Sequence, residues 1–260
     1  YFSQRAADVA LQNKDYSRAA HGLTFVGDIY RVQGITDTAR MYYAQAMEYA
    51  IKANDPFRKS FILTNVAETY RSQTKFDSAS IFLDSAYHIA APLRDYVRLG
   101  FILTNMGDVS RMTGDQQKAT IYYNDAIHAA KKGGDLRREA FAYSALAEIR
   151  DVLGDTAAAL REASKANAIA IRINEKSLYH ATLSSIGQVY AQQRKYALAD
   201  SCYRLAIERC RESNNQLRLV VNLCALAELE MQQNRLDSAI GIAQEALAVA
   251  LEIEDGNEIA

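Results

Sequence analysis

Apolar residues in this chain recur at spacings of three and four, never in strict alternation, and polar residues fill the positions between them. Leu23, Leu63, Leu103, Tyr143, Leu183 and Leu223 hold one position of the pattern, and Val26, Val66, Met106, Leu146, Ile186 and Leu226 hold another on the same face. This spacing predicts helices throughout and no strands. The pattern returns every 40 residues, which predicts first helices near 16–33, 57–73, 95–113, 136–153, 176–193 and 216–233. Second helices follow near 36–53, 76–91, 116–132, 156–173, 196–213 and 236–253. Asp15, Asp55, Asp95, Asp135 and Asn215 share the register that precedes each first helix and suit an N-cap, with Glu175 the exception. Pro56 fits the first helical position, where its missing N–H has no partner to lose. Gly34, Gly114 and Gly154 stand where a first helix must end and turn.

Small residues are as regular as the large ones. Gly27, Ala67, Gly107, Ala147, Gly187 and Ala227 form one series, and Ala39, Ala79, Ala119, Ala159, Ala199 and Ala239 a second. Ala46, Ala86, Ala126, Ala166, Ala206 and Ala246 complete a third. Two helices joined by a short turn can nest only where one lacks bulk at the crossing, so the series predict closely packed helix pairs. Residues 1–12 match the end of a second helix, with Ala6 and Ala10 in register, and imply a chain that continues further towards its N-terminus. The expected organisation is a single domain over 1–260: a half-repeat at 1–13, then repeats at about 14–53, 54–93, 94–133, 134–173, 174–213 and 214–253.

These positions resemble the tetratricopeptide repeat, in which a small residue is followed by an aromatic, an alanine, a second aromatic and a second alanine. Gly27, Tyr30, Ala39, Tyr43 and Ala46 match that order fully, as do Gly187, Tyr190, Ala199, Tyr203 and Ala206. The second repeat keeps Ala67, Tyr70, Ala79 and Ala86 but has Leu83, and the third has Ser110 at the first aromatic position. The fourth and sixth keep the small residues only, with Arg150, Ala163, Glu230 and Ala243 at the aromatic positions. Where the common form carries a proline near the end of its second helix, this chain has Ile51, Ala91, Lys131, Ile171, Arg211 and Leu251. The chain is thus similar to the long, 40-residue subclass, seen in Pins/LGN-type adaptors and bacterial regulators. The resemblance implies an all-α fold, a right-handed superhelical solenoid of antiparallel helix pairs, with first helices lining a concave groove that binds a peptide or partner helix.

The face of the first helices carries four ladders. They are His21, Phe61, Phe101, Phe141, Ala181, Val221; Thr24, Thr64, Thr104, Ser144, Ser184, Cys224; Asp28, Glu68, Asp108, Glu148, Gln188, Glu228; and Arg31, Arg71, Arg111, Asp151, Ala191, Met231. Asn65 and Asn105 flank the hydroxyl row. Two readings fit. In one, phenylalanines anchor apolar side chains of a peptide, Thr and Asn bond its backbone, and the charged rows set its register. In the other, Phe61, Phe101 and Phe141 are core between repeats, and each acid pairs with the arginine three residues on. Relatives that clamp acidic C-terminal tails use Lys and Asn in the groove. The corresponding row here is acidic, so such a tail is expected not to bind.

Composition narrows the function without naming a ligand. Lys and Arg number 30 and Asp and Glu 31, a balance that leaves no basic footprint for nucleic acid or an anionic membrane. Only two prolines occur and no linker-like run is present. No apolar run is long enough to span a bilayer, so the expectation is a soluble domain, cytoplasmic or periplasmic. Cys202, Cys210 and Cys224 give no disulfide framework, and all three read as small core residues. His21, His88, His128 and His180 read as solvated surface histidines without a metal. No phosphate-binding loop, nucleophile elbow or zinc helix motif is present. The expected function is therefore a non-catalytic interaction scaffold without cofactor that takes a protein or peptide partner. The alternative is a sensory module of a larger signalling or transcription regulator.

Overall fold

The computed structural model describes the backbone of residues 2–258; side chains at 1–4, 176–178, 181 and 254–260 lie outside the described set. Among the described residues there are thirteen α-helices and no strand. α1 (Phe2–Gln12) is the half-repeat. The six pairs are α2 (Tyr16–Val32) with α3 (Thr36–Lys52), α4 (Pro56–Ser72) with α5 (Phe76–Ala90), and α6 (Tyr96–Met112) with α7 (Gln116–Gly133), then α8 (Leu136–Val152) with α9 (Thr156–Arg172), α10 (Lys176–Gln192) with α11 (Tyr196–Glu212), and α12 (Gln216–Gln232) with α13 (Leu236–Glu258). The chain is an all-α helical-repeat protein. It divides into two compact units, Tyr1–Asp135 and Leu136–Ala260, and the seam falls between the third and fourth repeats.

The turns between helices share one design. A residue in the left-handed region recurs each 20 positions, from Lys14, Gly34 and Asn54 to Asn214 and Asn234, with φ between 50° and 85°. This reversal lets the next N–H reach back to the carbonyl five residues earlier: Asp55 to Ala50 at 3.0 Å and Asn215 to Cys210 at 3.0 Å. The residue so placed is the N-cap of the following helix, and its side chain caps where it is Asp or Asn, whereas Ile35, Lys75 and Lys195 make no such bond. Asp15, Asp55, Asp95 and Asn215 accept the N–H three residues on, as expected, and Glu175 makes no such bond. Asp115 and Asp155 do the same for second helices. One turn departs. Pro92 has no N–H to donate back into the helix, so α5 stops at Ala90 and the chain passes through a short 3-10 turn, Ala91–Leu93, with Ala91 itself keeping right-handed helical angles.

All eighteen small positions are buried. Glycine and alanine are not interchangeable among them. A Cβ added at Gly27, Gly107 or Gly187 would stand 2.5, 2.7 or 2.8 Å from the Cε1 of Tyr43, Tyr123 or Tyr203 on the paired second helix. Where the second helix carries Leu83, Ala163 or Ala243 at that position instead, the first helix carries alanine. The choice of small residue in each repeat thus follows the size of the side chain that crosses it.

Candidate functional site

In the first unit, the first-helix face is held by bonds within each helix pair and by bonds that run from one repeat to the next. Tyr43 Oη and Asn65 Nδ2 both donate to Asp28 Oδ1 at 2.7 Å, and Tyr123 Oη donates to Asp108 Oδ1 at 2.5 Å. Burial raises the Asp28 carboxyl above the usual range, against the lowering effect of those two donors and of Arg31. Burial, and then the bonded carboxylates, push Tyr43 and Tyr123 well above an ordinary phenol. Arg31 reaches Glu68 of the next repeat at 3.0 Å. That pair corrects the expectation that Arg31 serves the acid three residues before it: neighbouring first helices are staggered so that 37 residues, not three, bring the charges together. The acidic row is therefore partly neutralised in this unit.

The hydroxyl ladder faces inward. Thr64 is 0% exposed and donates to Ser60 O at 2.8 Å, and Thr104 is equally buried and donates to Gly100 O at 2.7 Å. A threonine inside a helix satisfies itself on the carbonyl one turn back, and these two have nothing left to offer a peptide backbone. Asn105 donates to Phe101 O at 3.0 Å, and Asn65 is engaged with Asp28; both are buried. These four side chains position the face without being presented on it, a correction to the first of the two readings. Arg71 and Arg111 are half-buried beside them.

The phenylalanines are neither fully core nor fully free. Phe61 is half-buried, its ring flanked by the guanidinium groups of Arg58 at 5.9 Å and Arg98 at 5.2 Å. Phe101 is likewise half-buried, and His21 is exposed. In the second unit Phe141 is 41% exposed and Val221 is exposed in the same register, while Ser144 is buried and Glu148 exposed. Ala181 lies outside the described side chains. Asp151, which occupies the arginine register, is buried and accepts from Gln192 Nε2 at 2.8 Å and Gln188 Nε2 at 3.4 Å. Burial raises its carboxyl, with the Gln192 bond opposing.

Two expectations about reactive side chains need correction. His180 is 1% exposed rather than solvated, with its Nδ1 3.4 Å from Cys210 Sγ and Asn222 Nδ2 3.7 Å from the same sulfur. The cause is local: Cys210 stands in an otherwise alanine register and His180 where other repeats carry Ala20, Ser60, Gly100 or Ala140, so the pair fills space between helices. Burial raises the Cys210 thiol, which keeps it protonated and a poor nucleophile. Cys224 is exposed, not core, and Cys202 is intermediate.

A tetratricopeptide repeat family model matches residues 181–216. No curated protein matches the sequence significantly. Solved structures with the same fold include BtubC (BKLC) from P. vanneervenii, at 16% identity over 82% of this chain and 89% of that one, with a TM-score of 0.70. The signal transduction ATPase (STAND) protein with a tetratricopeptide repeat sensor from Pyrococcus horikoshii shares 17% identity over 92% of this chain, with a TM-score of 0.77; this chain spans 38% of its length. A Rap protein complexed with competence and sporulation factor shares 18% identity over 92% of this chain and 76% of its own, with a TM-score of 0.69. The repeat register, the buried small residues and these likenesses agree: the chain is a tetratricopeptide-like repeat protein.

Proposed function

We propose that this chain is a non-catalytic interaction module that binds an extended peptide along the face of its first helices. The observation that carries the reading is the half-buried Phe61, bracketed by Arg58 and Arg98 above a polar layer already bonded within the protein. A face whose supporting groups are locked before the ligand arrives loses little freedom on binding. In the first unit Phe61 and Phe101 are the anchors in this reading and Arg71 and Arg111 set polarity; in the second unit Phe141 and Glu148 hold the corresponding positions. Thr64, Asn65, Thr104, Asn105 and Ser144 hold the helices that carry them, and Glu68 and Asp108 act through their internal bonds. The likeness to a STAND sensor and to a Rap protein with its bound factor favours a regulatory setting, in which the peptide is a signal.

The test is selection of binders from a random peptide library on the full chain. Affinity of the selected peptides should fall at least roughly tenfold with Phe61→Ala plus Phe101→Ala. It should be unchanged by Ile81→Ser, an exposed position on a second helix. Sensitivity to Ile81→Ser without sensitivity to the phenylalanine pair would place binding elsewhere and end the reading.

A further inference from the structure

A cavity of about 330 Å³ opens between α10 and α12 in the second unit. Its polar wall is Gln188, Gln192, Tyr203, Glu228 and Gln232, and Ala225 and Leu229 form an apolar floor. Asp151 of α8 stands behind it, and its carboxylate lies against the amides of Gln188 and Gln192, which form the α10 wall. Only one oxygen is used. Asp151 Oδ1 is buried and has no hydrogen-bond partner, on a residue only 7% exposed. A carboxylate so placed, with neutral amides for company, lacks the counter-charge that normally offsets its desolvation.

The first unit shows what is missing. There the same register supplies Arg31, which reaches the acid of the next first helix. In the second unit that register reads Asp151, Ala191 and Met231, so the arginine is absent and an acid stands in its place. Tyr203 reports the resulting field. Its hydroxyl is pushed up to about 12 by burial first, then by Glu228, Cys202 and Asp151. Its counterparts Tyr43 and Tyr123 find Asp28 and Asp108, whereas the position facing Tyr203 holds Gln188.

The geometry points to this cavity as the anchor for a lysine or arginine side chain of the bound peptide, an inference that rests on the first-helix face being the peptide site. Its methylenes would lie on Ala225 and Leu229, and its head would meet Glu228, the glutamine carbonyls and the field of Asp151. The charge completes what Arg31 supplies in the first unit.

The experiment is titration of the ¹⁵N-labelled full chain with acetyl-Gly-Arg-Gly-amide, its lysine counterpart and its citrulline counterpart, the last matching arginine in shape without the charge. Binding with a dissociation constant of roughly 1 mM should shift the side-chain amides of Gln188, Gln192 and Gln232. Citrulline should weaken it at least about tenfold, as should Asp151→Asn and Glu228→Gln. Glu228 is exposed, so its variant tests the same cavity without disturbing the buried acid and its bonds to Gln188 and Gln192. Equal shifts with arginine and citrulline would overturn the cation anchor and leave the peptide site standing. Failure of the charged tripeptides to move these amides would also overturn it, while the library selection decides the peptide site separately. Agmatine matching the arginine tripeptide in affinity would assign the cavity to free amines, against a peptide side chain.

Discussion

Replacing Gly107 by alanine sets two effects of opposite sign against each other. Within a helix the change by itself stabilises by about 1 kcal/mol, because alanine loses less backbone freedom on folding. Here the new Cβ would stand 2.7 Å from Tyr123 Cε1, 2.8 Å from Cδ1 and 2.9 Å from Cζ. Tyr123 is fully buried and tethered to Asp108 at 2.5 Å, so the ring cannot simply swing aside. Overpacking of this kind costs about 1–3 kcal/mol, and loss of a hydrogen bond to a carboxylate about 1.5–3 kcal/mol more. With the helix gain subtracted, Gly107→Ala should destabilise the chain by about 1.5–5 kcal/mol. The second repeat supplies the control, since Ala67 there faces Leu83. On a Tyr123→Leu background, Gly107→Ala should be neutral or stabilising by up to about 1 kcal/mol. The coupling between the two substitutions is therefore expected to be about 1.5 kcal/mol or more, read from urea unfolding followed by circular dichroism. Equal stabilisation by Gly107→Ala on both backgrounds would refute the size-matching argument.

Other substitutions probe the turns, the network and the buried acid. Gly114 has φ +85° and open space around its missing Cβ, so Gly114→Ala should cost about 1–2 kcal/mol through backbone strain alone. Thr74→Gly, at φ 59°, should instead stabilise by up to about 1 kcal/mol, visible as a raised melting temperature. Asn65→Ala should cost about 1.5–3 kcal/mol by removing a donor to the carboxylate of Asp28, and much less when Asp28→Ala is already present. Asp151 has a folded pKa raised above its unfolded value, so its ionised form is penalised in the folded state. That cost is fully present above the folded pKa and disappears as the pH falls through it towards the unfolded value. Asp151→Asn should therefore be more stable than wild type at neutral pH, with the advantage shrinking on acidification; an advantage independent of pH would contradict the assignment.

Much of the fold is legible because a 40-residue period repeats one packing problem six times. The eighteen small positions are all buried, and helix starts read from Asp15, Asp55 and Asn215 match the observed caps. The coupling of Gly27, Gly107 and Gly187 to Tyr43, Tyr123 and Tyr203 is also written in the sequence, sixteen residues apart, although the repeat signature does not draw attention to it. The first-helix face is less legible. Helical spacing says which side chains share a face but not how neighbouring helices are staggered, and that stagger pairs Arg31 with Glu68 and Asn65 with Asp28. Thr64 and Thr104 look like peptide-binding hydroxyls in a ladder, yet each bonds its own helix. His180 and Cys210 replace small residues in two different registers, so neither substitution alone reveals that the two side chains meet.

Site-specific photo-crosslinking asks where on the repeats the peptide lies. Benzoylphenylalanine placed at Phe61 or at Phe101, with a library-selected peptide bound, should capture the peptide at both sites, whereas the same group at Ile81 on a second helix should capture little. Efficient capture at Ile81, with none at the two first-helix positions, would place the peptide on the second helices instead.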